Sequence, residues 1–347
     1  RGLKLWFPIT RGLFKKTVGH VRAVDGVDVA MLRGRTSALV GESGCGKTTL
    51  GKAVLKLLHP TAGTVEFGGA ELTTLGRSAL KPFRRRLQII FQDPFSSLDP
   101  RMMVGEILME GMAAHHLGRS RSERSARAHD LMDKVGLDPQ MVHRYPHEFS
   151  GGQRQRIMIA RALILQPRLI IADEPVSALD VSVQAQILNL MVRLQRQFRF
   201  SYIVISHDLG VIRYVSHRVA VMYLGEIVEE APVSALFEAP RHPYTLALLS
   251  AVPVPDPRRP RRRIRLSGDV PSPLQPPSGC RFHPRCPERM PVCSREAPPM
   301  RELAAGHRAA CHLHTDGPVW QSAPPAGETA SGPPTAIGRR PPLSHDR

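Results

Sequence analysis

The octapeptide GESGCGKT, Gly41–Thr48, constrains this chain more than any other stretch. It follows the apolar run Thr36–Val40 and opens a helical pattern. A strand, a glycine turn and a helix in that order make a cradle for phosphate groups. The glycines let backbone N–H groups turn inward, and the helix start adds the positive end of its dipole. On this reading Gly41, Glu42, Ser43, Gly44, Cys45, Gly46, Lys47, Thr48 and Thr49 line a nucleotide site. Lys47 reaches the β- and γ-phosphates, and Thr48 offers its hydroxyl to Mg²⁺. Cys45 is a small filler of the loop and not a nucleophile.

The rest of the chain supplies the sheet that such a loop needs. Leu87–Phe91, Leu169–Ala172, Tyr202–Ile205 and Val219–Leu224 read with Thr36–Val40 as buried strands. Helical patterns run over Lys47–Leu58, Arg121–Val135, Gln153–Ile164 and Val181–Phe198. Strands alternating with helices predict an α/β fold whose sheet is covered on both faces. Residues 93–165 crowd helices together without a strand, so they predict an inserted helical subdomain. Three segments follow: 1–235 as the nucleotide-binding unit, 236–313 as a small irregular C-terminal extension, and 314–347 as a disordered tail.

Acidic and polar residues fall at the ends of the predicted strands, where open parallel sheets place their ligands. Asp173 ends the strand Leu169–Ala172 and can hold Mg²⁺. Glu174, one residue on, can orient a water for in-line attack on the γ-phosphate. Gln92 ends Leu87–Phe91 with an amide suited to a metal or a water. His207 follows Tyr202–Ile205 and faces the same crevice.

A second anion site is written further along. Ser150, Gly151, Gly152 and Gln153 head a helix, so hydroxyl, backbone N–H groups and dipole point at one place. One chain could hardly fold this site over its own bound triphosphate. Two chains placed head to tail could, each capping the other's nucleotide. N-capping by Ser150 accounts for the serine but not for two consecutive glycines.

These residues, in this order and spacing, resemble the ATP-binding cassette (ABC) ATPases over residues 1–313. The resemblance implies the P-loop fold of that family: a mixed sheet with helices on both faces and an inserted helical subdomain. It implies that Lys47, Thr48, Gln92 and Asp173 bind ATP and Mg²⁺, that Glu174 is the catalytic base, and that His207 senses the γ-phosphate. Ser150, Gly151 and Gly152 then contact the partner's γ-phosphate, and Asp180, closing the SALD segment Ser177–Asp180, communicates across the dimer. An aromatic upstream of the loop stacks on adenine in this family. Phe7 is the best match, with Trp6 beside it. GESGCGKT, IIFQDPFSSLDPR, YPHEFSGGQRQRI, ADEPVSALDVSVQAQILNLM and PRHPYTLALLSAVP resemble the ATPase subunits of bacterial dipeptide and oligopeptide permeases. Such a subunit pairs with a second ATPase, grips two membrane permeases through a segment like Asp93–Arg101, and is fed by an extracytoplasmic binding protein. Related importers carry nickel or glutathione.

Cys280, Cys286, Cys293 and Cys311 stand with five, six and 17 residues between them. Four thiolates within so short a segment can close a site on Zn²⁺ or an iron–sulfur cluster. The spacing lacks the Cys-x2-Cys hairpins of zinc ribbons, which favours the cluster. The resemblance also associates a 4Fe–4S centre with such an extension. Its role would be a clip for a proline-rich segment with little core of its own.

The net charge of +18, from 48 Lys and Arg against 30 Asp and Glu, opens an alternative: a soluble ABC ATPase acting on nucleic acid or ribosomes. No aromatic-interleaved basic stripe accompanies the charge, and the dense run Arg258–Arg265 sits among prolines, so nucleic acid is not expected. The apolar runs are too short to span a bilayer, no secretory segment is visible, and Arg1 in place of Met indicates a trimmed start. The expectation is a cytosolic protein attached peripherally to the inner face of the membrane.

Overall fold

The structure is a computed structural model, which describes residues 1–12, 14, 16–252, 263–315 and 317–320. The arginine run 258–265 lies mostly outside these residues, and so does nearly all of the expected tail. Strands β1 (Leu3–Arg11) and β2 (Lys16–Val27) form an antiparallel hairpin. β3 (Thr36–Val40) runs through the glycine loop into α1 (Lys47–Val54). A small hairpin of β4 (Glu66–Phe67) and β5 (Ala70–Glu71) leads to α2 (Arg77–Arg86) and β6 (Leu87–Ile90). Then come α3 (Pro94–Ser97), α4 (Val104–Ala114), α5 (Arg121–Lys134) and α6 (Gly151–Leu163) before β7 (Leu169–Asp173). The chain continues with α7 (Val181–Phe198), β8 (Ser201–Ile205), α8 (Leu209–Val215), β9 (Arg218–Tyr223), β10 (Glu226–Pro232), α9 (Val233–Glu238) and α10 (Pro243–Ser250). β11 (Met300–Ala304) and β12 (His307–Ala310) come last.

One eight-stranded sheet organises these elements, in the order β11-β12-β10-β9-β3-β8-β7-β6. The five strands from β9 to β6 run parallel, and β10, β12 and β11 extend the sheet antiparallel. Side-chain alternation sorts the core into two layers. Ala38, Val40, Ile170, Ala172, Tyr202, Val204, Val219 and Val221 face α4, α6, α7 and α8. Leu39, Leu169, Ile171, Ile203, Ile205 and Met222 face α1 and the β1–β2 hairpin, meeting Leu3, Leu5, Val24 and Leu50. The sheet is therefore mixed, with helices on both faces and α3 to α6 filling 93–165 ahead of β7.

Three details depart from the sequence reading. Helix α1 stops at Val54 and does not reach Leu58, because Lys56 turns left-handed at φ 52° and its N–H bonds back to Ala53. The β1–β2 hairpin covers one sheet face where only helices were expected. Finally, the C-terminal extension contributes strands to the main sheet, which the sequence reading did not foresee: β12 pairs with β10, joining Glu229 to Ala309 and Glu230 to Arg308. Buried Glu229 accepts hydrogen bonds from the N–H groups of Arg241 and His242 and pairs with His307 at 2.7 Å. Glu230 pairs with Arg218 and Arg308. These charges are satisfied across the junction, which makes the extension an edge of the main sheet. Among the described residues no helix is long and apolar enough to cross a membrane.

Candidate active site

The glycine loop leaves the C-terminal end of β3 and wraps the start of α1. Gly41 (φ 154°) and Gly46 (φ 107°) have no room for a side chain: a Cβ would stand 2.2 Å from the Met222 carbonyl and 2.0 Å from that of Ala23. Gly46 is also the left-handed N-cap of α1, so the first N–H groups of the helix remain directed into the loop. Lys47 is buried and donates to the carbonyls of Gly41 (2.9 Å) and Glu42 (2.8 Å). Ser43 and Gly44 form the exposed tip, while Thr49 is half-buried on the first turn of α1. Cys45 is packed in the core, and burial pushes its thiol up against the opposing pull of Lys47, which fits a filler and not a nucleophile.

The strand-end acids arrive at the same edge. Thr48 Oγ1 donates to Asp173 Oδ1 at 2.9 Å, putting two hard oxygen ligands side by side at the head of α1. Burial raises the Asp173 carboxyl, with the Thr48 hydrogen bond and the charges of Lys52 and Lys47 opposing. Glu174 takes a left-handed conformation, φ 46°, with its N–H donated to Ile205 on β8. Such backbone costs a non-glycine residue about 1–3 kcal/mol, and it aims the side chain out of the strand end. The carboxylate is bracketed: Gln92 Nε2 donates to Oε2 at 3.0 Å, and His207 Nδ1 lies 3.0 Å from Oε1. Three residues from three strand ends thus meet in one group beside the loop.

The Ser150 segment heads α6 as a capping box. Ser150 Oγ accepts from the Gln153 N–H at 3.3 Å, and Gln153 Oε1 accepts from the Ser150 N–H at 2.9 Å. The two glycines differ. A Cβ on Gly152 would lie 2.6 Å from Val183 of α7, whereas one on Gly151 would meet only Leu179 at 3.4 Å. Packing within the chain therefore accounts for Gly152, correcting the expectation that neither glycine has an internal reason. It leaves Gly151 open. Among the described residues no hydrogen bond or ion pair joins 150–153 to 41–48. The helix is tied instead to the segment after Gln92: Arg154 stacks 4.0 Å over Phe95, and Arg161 donates to the Ser97 carbonyl.

Asp180 is exposed at the N-terminus of α7. Phe7 lies on the β1–β2 hairpin opposite Val21, 39 % exposed, whereas Trp6 is occupied by Asp25, Arg22 and Lys4. The four C-terminal cysteines are brought into one neighbourhood. Cys280, Cys286 and Cys311 are each pushed up by burial, Cys280 and Cys311 to about 11, and each also feels the charge of other thiols in the set. As they stand, no three His, Cys, Asp or Glu side chains among the described residues are arranged to hold a metal ion. Two residues near the loop were missed by sequence reasoning: Arg285 pairs with Glu42 at 2.7 Å, and Tyr244 Oη accepts the Glu42 N–H at 2.8 Å. No signal local to the loop could have found them.

Residues 24–177 match a family model described as ABC transporter, and residues 228–293 match one described as the C-terminal region of oligopeptide/dipeptide transporters. The chain is 51% identical over 318 residues to the oligopeptide transport ATP-binding protein AppF of Bacillus subtilis, covering 91% of this chain and 96% of that protein. It is equally 51% identical over 320 residues to a probable peptide ABC transporter ATP-binding protein, y4tS, of Sinorhizobium fredii, covering 92% and 90%. Among solved structures, the dimeric cassette MJ0796 bound to ADP and Pi superposes with a TM-score of 0.59 at 26% identity, covering 67% of this chain and 97% of that one.

Proposed function

Because the chain belongs to the ABC transporter family, we propose that it is the ATP-hydrolysing subunit that energises a membrane importer of peptides. The observation that carries the catalytic part is the meeting of Gln92, Glu174 and His207 beside Lys47, Thr48 and Asp173. The loop Gly41–Thr48 takes the triphosphate of ATP on its N–H groups and on Lys47, with Thr49 on the first turn of the helix. Thr48, Asp173 and Gln92 would hold Mg²⁺, whose charge when bound offsets that of the phosphates. Glu174 orients a water and accepts its proton as the water oxygen bonds to the γ-phosphorus and the bond to the β–γ bridging oxygen breaks. Gln92 and His207 fix the Glu174 carboxylate, and His207 can follow the γ-phosphate. Phe7 stacks on adenine.

Ser150, Gly151, Gly152 and Gln153 serve a second cassette, placed head to tail, and Asp180 lies on that shared face. The second cassette is a copy of this chain or a paralogue. Two transmembrane permeases dock on the Asp93–Arg101 segment, which the Arg154–Phe95 contact ties to α6, and an extracytoplasmic binding protein delivers the cargo. The protein then sits peripherally on the cytoplasmic face of the membrane. Cys280, Cys286, Cys293 and Cys311 would hold a 4Fe–4S cluster, with Zn²⁺ as the alternative, and the group would clip the proline-rich extension together. The spacing of the four cysteines, without Cys-x2-Cys hairpins, favours the cluster over zinc. The nucleic-acid reading of the basic charge gains nothing from the site or from the relatives described above.

Reconstitution with the permeases and binding protein of the same importer in liposomes tests the proposal. ATP hydrolysis should rise severalfold with a di- or oligopeptide present, together with uptake of that peptide. Hydrolysis indifferent to every peptide, with no uptake, would count against it.

A further inference from the structure

The segment Cys280–Cys286, CRFHPRC, is a plug driven into the nucleotide-binding unit. Its ends are two of the four clustered cysteines, and its three longest inward side chains each find a different part of that unit. The Arg281 guanidinium donates to the Leu224 carbonyl and the Asp25 carboxylate and pairs with Glu226 at 2.9 Å. Phe282, fully buried, packs among Tyr223, Tyr244 and His242 with ring centroids 5.3–5.6 Å away. Arg285 reaches the glycine loop itself, donating from Nη1 to Glu42 Oε2 at 2.7 Å and from Nη2 to Oε1 at 3.2 Å. Tyr244, at the start of α10, accepts the backbone N–H of the same Glu42 at 2.8 Å.

Glu42 is thereby fixed at side chain and backbone by residues of the extension. Its carbonyl in turn receives the Lys47 ammonium at 2.8 Å and the Cys45 N–H at 3.3 Å. The attachment of the extension has its own supports in Arg281 and Phe282, so the aim of Arg285 at one loop residue is surplus to docking. A bidentate guanidinium–carboxylate pair at the edge of a buried region holds geometry better than a single contact does.

We infer that Arg285 and Tyr244 are positioning residues for the phosphate loop, through which the C-terminal extension sets this chain's affinity for nucleotide. The inference rests on the reading of Gly41–Thr48 as the nucleotide site. Because Arg285 adjoins Cys286, the same strut connects the four thiols to that site.

Titration calorimetry of the full chain with MgADP, which is bound without being cleaved, tests this. Arg285→Ala should raise Kd about tenfold, the equivalent of ~1.4 kcal/mol, while kcat at saturating ATP stays within about twofold and Arg285→Lys recovers part of the loss. Glu42→Gln should lose affinity to a similar extent, and the double variant should be no weaker than the worse single one, since both remove the same link. Should Arg285→Ala fail to fold, Tyr244→Phe removes only the hydroxyl that receives the Glu42 N–H, and Kd should rise about threefold. Unchanged Kd in Arg285→Ala and Tyr244→Phe would overturn the inference. So would losses that add in the double variant, or a Glu42→Gln that binds normally and restores Arg285→Ala, which would reduce Arg285 to a charge neutraliser. Lys47→Ala in the same assay separates the two levels. If the unaltered chain binds no MgADP, the nucleotide-site reading itself fails. If Lys47→Ala abolishes binding while Arg285→Ala and Tyr244→Phe leave it intact, only the strut fails.

Discussion

In the proposed mechanism hydrolysis turns on Glu174, and its surroundings say why a strand end was the place to look. Strand β7 delivers Asp173 into the buried edge and Glu174 just beyond it, where a left-handed backbone turns the second carboxylate toward Gln92 and His207. Glu174→Gln keeps the size and the bond from Gln92 but presents an NH2 donor to His207 and cannot accept a proton. It should bind MgATP normally and hydrolyse it about 10²–10⁴-fold more slowly, as removal of a general base does; a single-turnover assay reads both. Turnover near the unaltered rate would remove Glu174 from that role. These residues were legible in the sequence because each lies within two residues of the end of an apolar run, and parallel strands share one ligand-binding edge. Arg285 and Tyr244 were not legible, since they lie some two hundred residues from Glu42 and only the folded extension brings them there.

At the scale of single elements, the N-terminus of α6 offers a clean separation. Gly152→Ala pushes a methyl into Val183 and should cost ~1–2 kcal/mol of stability, seen as a lower melting temperature of the chain alone. Gly151→Ala meets only ordinary contact with Leu179 and should leave melting unchanged or slightly raised, while impairing ATP-driven pairing of cassettes. Equal melting losses in the two variants would contradict this division. The extension carries an acid-sensitive joint. Burial holds His242 down at about 4, with the Glu229 charge opposing and His314 reinforcing, and its Nδ1 accepts the Tyr244 N–H in the neutral ring. The unfolded value of 6.5 is higher, so the unfolded chain takes up the proton first. Stability is then full above pH 6.5 and declines below it, by roughly 3 kcal/mol on reaching pH 4. Burial pushes Glu229 up, but the hydrogen bonds from His307 and the N–H groups of Arg241 and His242 hold the carboxyl down, so its contribution is also lost in acid. Melting curves from pH 7 to pH 4 should show the decline, flattened in His242→Gln; a flat profile for the unaltered chain would contradict it. For the cysteines, anaerobically purified protein should carry iron and sulfide in near-equal amounts, and stoichiometric zinc alone would end the cluster reading. Periodicity found the central strands because their residues are apolar on both faces. It missed β10, β11 and β12, where the adjacent pairs Glu229–Glu230, Arg301–Glu302 and His307–Arg308 break both the apolar run and the alternation and read as loop. Glu229 and Glu230 meet His307 and Arg308 across the sheet edge, with the Arg241 and His242 N–H groups and Arg218 as further partners, while Arg301 donates to the Gly317 carbonyl and Glu302 accepts the Gly306 N–H.

Among the described residues the glycine loop stands apart from the Ser150–Gln153 helix start, and the extension packs against the loop through Arg285 and Tyr244. The proposed division of labour uses all three: the loop binds nucleotide, the extension sets its shape, and the Ser150–Gln153 corner acts on a neighbouring molecule. The proposal of two molecules was readable in the sequence as a second glycine-headed helix far along the chain; its capping box and the Gly152 packing serve the chain itself, and Gly151 carries the proposal. The sequence could not reveal how the extension joins the sheet, which depends on pairing between strands separated by the whole length of α9 and α10. Specific ATPase activity measured against protein concentration, with and without the second ATPase subunit of the same importer, tests the central claim most directly. Activity per chain should fall toward zero on dilution, be restored by concentration or by that subunit, and be abolished by Gly151→Asp. Full activity at concentrations where the chain is strictly monomeric, unchanged by Gly151→Asp, would contradict it.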